Sequence, residues 1–324
     1  MSTARQLAAS AIARSVGSAL ARLPAGVCRR VMGALPPERA FDAVQAAGRK
    51  CNVSDIRVIG DYGPIEGSID DGVILRGYAI TGSWRTSEGR FFTDLFAANR
   101  GGTFIDIGAN IGLTTIPIAR IPGVSCKAFE PEPRNFEYLR RNISANCSTA
   151  DVELFNFALF DRATTLDLEL SSANQGDHRV RLAGRNERRA VVEVPAKPLD
   201  EVLDPRSLRR PLVVKMSGQG AESQIVMGGQ SVLGQATAMA IEFQPFLVKE
   251  QGADVEPLFR FCGEQFHAAA VFKGRAEHAP VWQKSAEVVD TLRHQLRPGA
   301  ADEYTWFRVL FDQKEAGGAP SPLS

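Results

Sequence analysis

The segment Phe104-Ile105-Asp106-Ile107-Gly108-Ala109-Asn110-Ile111-Gly112 restricts the fold of this chain more than any other. Its apolar, β-branched start predicts a buried strand, and its two glycines predict a tight loop leading into a helix. Glycine at 108 and 112 lets the backbone approach a ligand, because a side chain there would fill the space the ligand needs. Downstream, apolar runs alternate with helical patterns. Strands are expected at 103–107, 125–130, 152–157, 212–216, 238–243, 267–272 and 305–311. The helix after Glu130 is marked by Phe136, Leu139 and Ile143 along one stripe. This alternation predicts βαβ units on a parallel sheet.

The acids decide what the loop can hold. Its glycine spacing departs from the dinucleotide fingerprint GxGxxG, and Asp106 ends the strand where a pyrophosphate would meet a helix N-terminus. A carboxylate there repels a diphosphate and attracts a cation. S-adenosylmethionine brings a sulfonium, an ammonium and no phosphate, so the loop favours it over NAD or ATP. The next strand ends in Phe129-Glu130-Pro131, and an acid at that tip can accept hydrogen bonds from both ribose hydroxyls of an adenosine. Either acid alone could equally cap a helix; the pair around a glycine loop is what points to a nucleoside site.

Composition narrows the partners. With 38 basic and 37 acidic residues the net charge is +1, so no global positive field favours nucleic acid, which is not expected as a partner. The five cysteines are odd in number and widely spaced, without CxxC, which argues against a disulfide framework or a metal site and for a reducing, cytoplasmic setting. No run approaches the ~20 apolar residues that a bilayer span requires.

Before residue 38 the chain carries Arg5, Arg14, Arg22, Arg29 and Arg30 and no acid, on an amphipathic pattern. A packing helix, a peripheral contact with an anionic membrane and a targeting segment all fit it. From Val53 to Ile80, apolar runs broken by glycine predict small strands and turns. The expected organisation is a helical extension over 1–50, a small cap over 51–90, an α/β domain over 91–312 and a disordered tail over 313–324. Within the α/β domain, β-like stretches at 165–170 and 191–194 flank a polar insertion holding Arg179, Arg181, Arg185, Arg188 and Arg189. That cluster either solvates a hairpin or binds the phosphate or carboxylate of an acidic glycan or lipid headgroup. Trp84, Trp282 and Trp306 either stack on sugars or pack in the core.

Five stretches carry a family resemblance: 105–112 above, Ala128-Phe129-Glu130-Pro131-Glu132-Pro133-Arg134-Asn135-Phe136, Ala158-Leu159-Phe160-Asp161, Val194-Pro195-Ala196-Lys197-Pro198-Leu199-Asp200, and Val214-Lys215-Met216-Ser217-Gly218-Gln219-Gly220-Ala221-Glu222. In this order they resemble the FkbM family of S-adenosylmethionine-dependent methyltransferases. The resemblance implies a class I, Rossmann-like methyltransferase fold: a seven-stranded, mostly parallel sheet with helices on both faces and an antiparallel last strand. It also implies methyl transfer from S-adenosylmethionine to a hydroxyl on a glycan, lipid or polyketide-like small molecule. Carried over, Asp106, Gly108, Ala109, Asn110 and Gly112 would surround the methionine moiety. Glu130 and Pro131 would meet the ribose, and Asn156 to Ala158 the adenine.

One position departs from the family. Lys-Ile-Asp or Lys-Met-Asp is usual where this chain has Lys215-Met216-Ser217. Aspartate can take a proton from the acceptor; serine can only hydrogen-bond. The remaining candidates to take that proton are Glu222, Glu242 and His178. If none reaches the acceptor, the chain would bind the cofactor without turnover, in a structural or regulatory role.

Overall fold

The computed structural model describes residues 35–84, 86–182, 189–273, 281–297, 299–302 and 305–313. The arginine-rich segment before residue 35, Arg185 and Arg188 of the insertion, and the tail after 313 lie outside the described residues.

A hairpin of β1 (Asp55–Gly60) and β2 (Gly63–Ser68) precedes the main sheet. That sheet runs in the spatial order β5 (Asp151–Phe155), β4 (Val124–Phe129), β3 (Gly102–Ile107), β10 (Leu212–Met216), β11 (Ala238–Phe243), β14 (Phe307–Gln313), β12 (Phe266–Lys273) and β13 (Gln283–Lys284). The first five are parallel, whereas β14 runs against both β11 and β12. The seven expected strands all form within two residues of their predicted bounds, and the two-residue β13 adds an eighth at the edge. A second sheet pairs β6 (Ala158–Leu159), β9 (Ala190–Lys197), β7 (Thr164–Leu170) and β8 (Arg179–Val180) in that order.

β3 is buried along its whole length, as a central parallel strand covered on both faces must be. Ile105, Val214, Met216 and Ile241 feed one core cluster, and Phe104, Val213, Ala238 and Ala240 feed the other. At the C-terminal strand ends the second face turns from apolar to charged, with Asp106, Lys215 and Glu242 each two positions beyond a residue of that cluster. On the antiparallel β14, Arg308 takes the matching place opposite Glu242. One edge of one face therefore carries a row of alternating charge.

The helix Pro133–Asn146 starts where Glu132 accepts from the Asn135 N–H (2.6 Å) and Pro133 supplies a pre-set φ. Its buried Asn142 holds both the hairpin and the glycine loop, donating to the Glu66 and Ile111 carbonyls and accepting from the Glu66 N–H. Tyr62, Ile65, Leu75 and Tyr78 share a core cluster with Phe92 and Phe104. These residues before the main sheet thus pack into the same core as β3.

Residues 171–178, between β7 and β8, fold back over the glycine loop. The Gln175 carbonyl accepts from the side-chain amides of Asn110 (2.8 Å) and Asn135 (3.1 Å), and the Ala173 carbonyl accepts from Gly72 N–H (3.0 Å). The described arginines of the insertion are ion-paired rather than solvated: Arg181 with Asp167 and Glu169, Arg189 with Asp177, Arg179 with Glu250. No described helix is long and apolar enough to cross a membrane.

Candidate active site

Two adjoining spaces open at the C-terminal edge of the sheet. A narrow recess is walled by Phe129, Phe157, Leu159, Val180 and Ile225, with Glu130 as its buried carboxylate. A cavity of about 1020 Å³ lies beside it, and Gly108, Gly176, Ser217 and Gln219 line both. The sheet edge delivers this arrangement because each parallel strand must turn there into a loop before its crossover.

Glu130 follows the last residue of β4 and is fixed from behind. Its Oε2 accepts from Asn110 N–H (2.8 Å) and its Oε1 from Glu132 N–H (3.0 Å). Asn110 can make that bond because it sits in the left-handed region at φ +52°, where asparagine is tolerated. Burial pushes the Glu130 carboxyl up to about 7, against the pull of these two backbone donors. Pro131 and Ala158 line the same recess. Apolar walls with one buried carboxylate suit an adenosine, so these residues fit the cofactor that the family implies.

Asp106 does not join Glu130 there. It is fully buried and lines neither space. Its Oδ2 accepts from Thr115 Oγ1 (2.7 Å), and Lys215 Nζ lies 3.1 Å from Oδ1, an ion pair whose angle gives that oxygen no hydrogen bond. The expectation of a free negative charge presented to a cation is thus corrected: the parallel register of β3 and β10 sets Lys215 opposite Asp106 and neutralises it.

The glycines are also required for another reason than the one expected. A Cβ on Gly108 would stand 2.5 Å from the Ser217 carbonyl oxygen, and one on Gly112 would stand 2.9 Å from Leu139 Cδ1. Packing of loop on loop and of loop on helix demands them. Gly108 and Ala109 still border the large cavity, whereas Gly112 and Asn110 border neither space. Asn156 likewise holds shape, donating to the Glu130 (2.9 Å) and Pro131 (3.2 Å) carbonyls, while its neighbours Phe157 and Ala158 line the recess.

Of the three proton-accepting candidates, the structure brings only Glu242 to the large cavity, where Ser217 also lies. Ser217 Oγ donates to Glu242 Oε2 (2.8 Å), Gln219 Nε2 donates to Ser217 Oγ (2.9 Å), and Gln244 Nε2 donates to Gln219 Oε1 (3.2 Å). Every donor in this chain points toward the Glu242 carboxylate. Glu222 instead closes the loop after β10: its Oε1 accepts from Gly218 N–H (2.8 Å) and its Oε2 from Gly220 N–H (3.1 Å). It lines neither space, and burial raises its carboxyl to about 7. His178 sits in the recess with Glu130 rather than in the large cavity. Its Nδ1 accepts from Ser171 N–H (3.0 Å), so Nε2 carries the proton and faces Gln175 Oε1 (3.0 Å). Burial lowers its pKa and keeps it neutral, so both ring nitrogens are engaged in holding the insertion.

Sequence reasoning missed Lys215 as a partner of Asp106, and the buried ion pair in which Arg308 Nη1 donates to Glu88 Oε1 (2.7 Å) and Oε2 (2.8 Å). Lys215 was legible as a lone charge in an apolar strand. Glu88, in the helix Ser87–Asn99, carried no signal, since a first-turn acid is ordinary. Trp84 and Trp306 border the large cavity, whereas Trp282 packs on Phe91 at 5.7 Å between ring centroids.

Residues 106–266 match the family model described as Methyltransferase FkbM domain. No curated protein matches the chain. Similar solved structures include Methyltransferase FkbM from Methylobacillus flagellatus KT, at 12% identity and a TM-score of 0.35, covering 73% of this chain and 52% of that one. The present chain thus spans about half the length of that protein. The B. subtilis M1A22 tRNA methyltransferase TrmK is similar at 8% identity and a TM-score of 0.36, covering 72% of this chain and 68% of that one. M. jannaschii TYW2 in complex with AdoMet is similar at 14% identity and a TM-score of 0.38, covering 81% and 87%. The family match lies on a mostly parallel sheet with an antiparallel last strand: residues 106–266 carry the FkbM methyltransferase domain.

Proposed function

We propose that this chain transfers a methyl group from S-adenosylmethionine to a hydroxyl of a small-molecule, glycan or lipid acceptor held in the large cavity, with Glu242 as proton acceptor. The single observation that carries this reading is the 2.8 Å hydrogen bond from Ser217 Oγ to Glu242 Oε2 where the large cavity meets the recess. The carboxylate that the family usually carries at the end of β10 is supplied here from the end of the neighbouring β11. Glu130, Pro131, Phe157 and Ala158 would hold the adenosine half of the cofactor, and Gly108 and Ala109 would border its methionine half. The bound cofactor supplies an electrophilic methyl on a sulfonium. The cofactor would give up that methyl to the acceptor oxygen and leave as a neutral thioether, and Glu242 would take the hydroxyl proton. Ser217 and Gln219 fix the carboxylate and orient the hydroxyl; in-line positioning of this kind is worth up to ~7 to 11 kcal/mol in favourable cases.

The rival reading, cofactor binding without turnover, is favoured by one observation, the serine at position 217. Calorimetry with S-adenosylhomocysteine, followed by transfer of labelled methyl to extracts of small molecules, glycans and lipids, separates the two. Binding weakened by Glu130→Gln, together with transfer abolished by Glu242→Gln, supports the enzyme. Binding with transfer unaltered in Glu242→Gln removes Glu242 from the chemistry.

A further inference from the structure

We infer that Arg179 is the seat of a carboxylate bound in the large cavity. The inference rests on the reading of that cavity as the place where cofactor and acceptor meet. Arg179 lies on the two-residue β8, is 8% exposed and lines the cavity. Its guanidinium is held at one corner only, by Nη1 donating to Glu250 Oε2 (2.6 Å). Nε is buried without a partner, and Nη2 makes no hydrogen bond among the described residues. Glu169, opposite in the strand register, gives its Oε1 to Arg181 instead.

The other cations of this wall hold more acceptors, although Arg308 Nε, like Arg179 Nε, makes no hydrogen bond among the described residues. Lys215 is matched by Asp106 and by the carbonyls of Gly108 (2.6 Å) and Ile107 (3.3 Å), and Arg308 donates to both oxygens of Glu88. Buried polar groups are normally satisfied, so a guanidinium that is dry at Nε and keeps Nη2 unspent calls for an acceptor from outside the chain. The planar fork suits a carboxylate, which it can bind in bidentate fashion. A monoanion fits better than a phosphate dianion, because Asp177 and Glu242 line the same cavity and Glu250 already sits on Arg179. Two sources of carboxylate reach this place: the methionine end of the cofactor, or an acidic group on the acceptor.

The experiment uses Arg179→Met, with Arg179→Lys as a charge-retaining control and thermal melts of both to verify folding. Calorimetry compares S-adenosylhomocysteine with 5′-methylthioadenosine, which lacks the amino-acid end. Tryptophan fluorescence of protein saturated with S-adenosylhomocysteine, read out by Trp84 and Trp306 on the cavity wall, follows titration with glucuronate, glucose and inorganic phosphate. If the carboxylate is the cofactor's, Arg179→Met weakens S-adenosylhomocysteine by about ten- to a hundredfold and leaves 5′-methylthioadenosine unchanged. If it is the acceptor's, both nucleosides bind as before, and the wild type responds to glucuronate but not glucose, a response lost in Arg179→Met. Equal loss of both nucleosides, a stronger response to phosphate than to glucuronate, or no change in either arm overturns the inference. Failure of the wild type to bind either nucleoside would instead remove the proposed function beneath it.

Discussion

Lys215 stands directly across the parallel β3–β10 register from Asp106, and its ammonium lies 3.1 Å from a carboxylate that is wholly shut off from solvent. The acid at the heart of the most telling sequence motif thus spends its charge inside the protein. Lys215 Nζ also donates to the carbonyls of Ile107 and Gly108, so one side chain ties strand end to glycine loop.

Removing one partner of this pair leaves a buried charge uncompensated. Lys215→Met is expected to lower unfolding free energy by about 3 to 5 kcal/mol, and adding Asp106→Asn to restore much of it. Urea denaturation of the two single variants and the double variant checks this; simple additivity of the two losses would show that the pair is not coupled.

Gly108→Ala is expected to be costlier than Gly112→Ala. Both positions have positive φ (+75° and +93°), but the first places a Cβ against a main-chain oxygen and the second against the end of a flexible leucine. A loss of about 2 to 4 kcal/mol for Gly108→Ala, with a smaller one for Gly112→Ala, is the expected order in thermal melts.

Cofactor affinity should depend on pH through Glu130. Its carboxyl titrates at about 7 in the free protein, and ribose hydroxyls donate best to the ionised form. Binding of S-adenosylhomocysteine should therefore release protons near neutrality and tighten from pH 6 to pH 8. Calorimetry in buffers of different ionisation enthalpy measures the release, which should vanish in Glu130→Gln.

Stability should move the other way. Glu130 and Glu222 both titrate at about 7 when folded against 4.5 ordinarily, so the native state holds more protons than the unfolded state between these values. Their contribution is present below pH 4.5 and is lost as pH rises through 7. Glu222→Gln, which keeps an acceptor for the Gly218 and Gly220 N–H groups, should flatten that decline in denaturation curves taken from pH 5 to pH 8.

Ser217→Asp restores the family's usual residue, yet it should not improve this protein. The new carboxylate would face Glu242, whose Oε2 is 2.8 Å from the present hydroxyl, and two acids at that spacing share a proton. A melting temperature that falls more steeply than wild type from pH 6 to pH 8 is the expected signature. A pH profile parallel to wild type would place Glu242 elsewhere in solution.

The local sequence settled where strands run and which loop is rich in glycine, because burial on both faces of a parallel sheet demands continuous apolar runs that nothing else explains. It also located Glu130, Ser217 and Glu242, each the last side chain before or just after a strand end. Tertiary structure alone decided how their charges are spent. Asp106 is neutralised by a lysine from a strand that follows it by more than a hundred residues, Glu88 meets Arg308 across most of the chain, and His178 is drawn down over the recess by the Gln175 contacts. Periodicity is a local property, written in neighbours along the chain; the partner of a charge is fixed by strand order and register, which exist only once distant segments have packed.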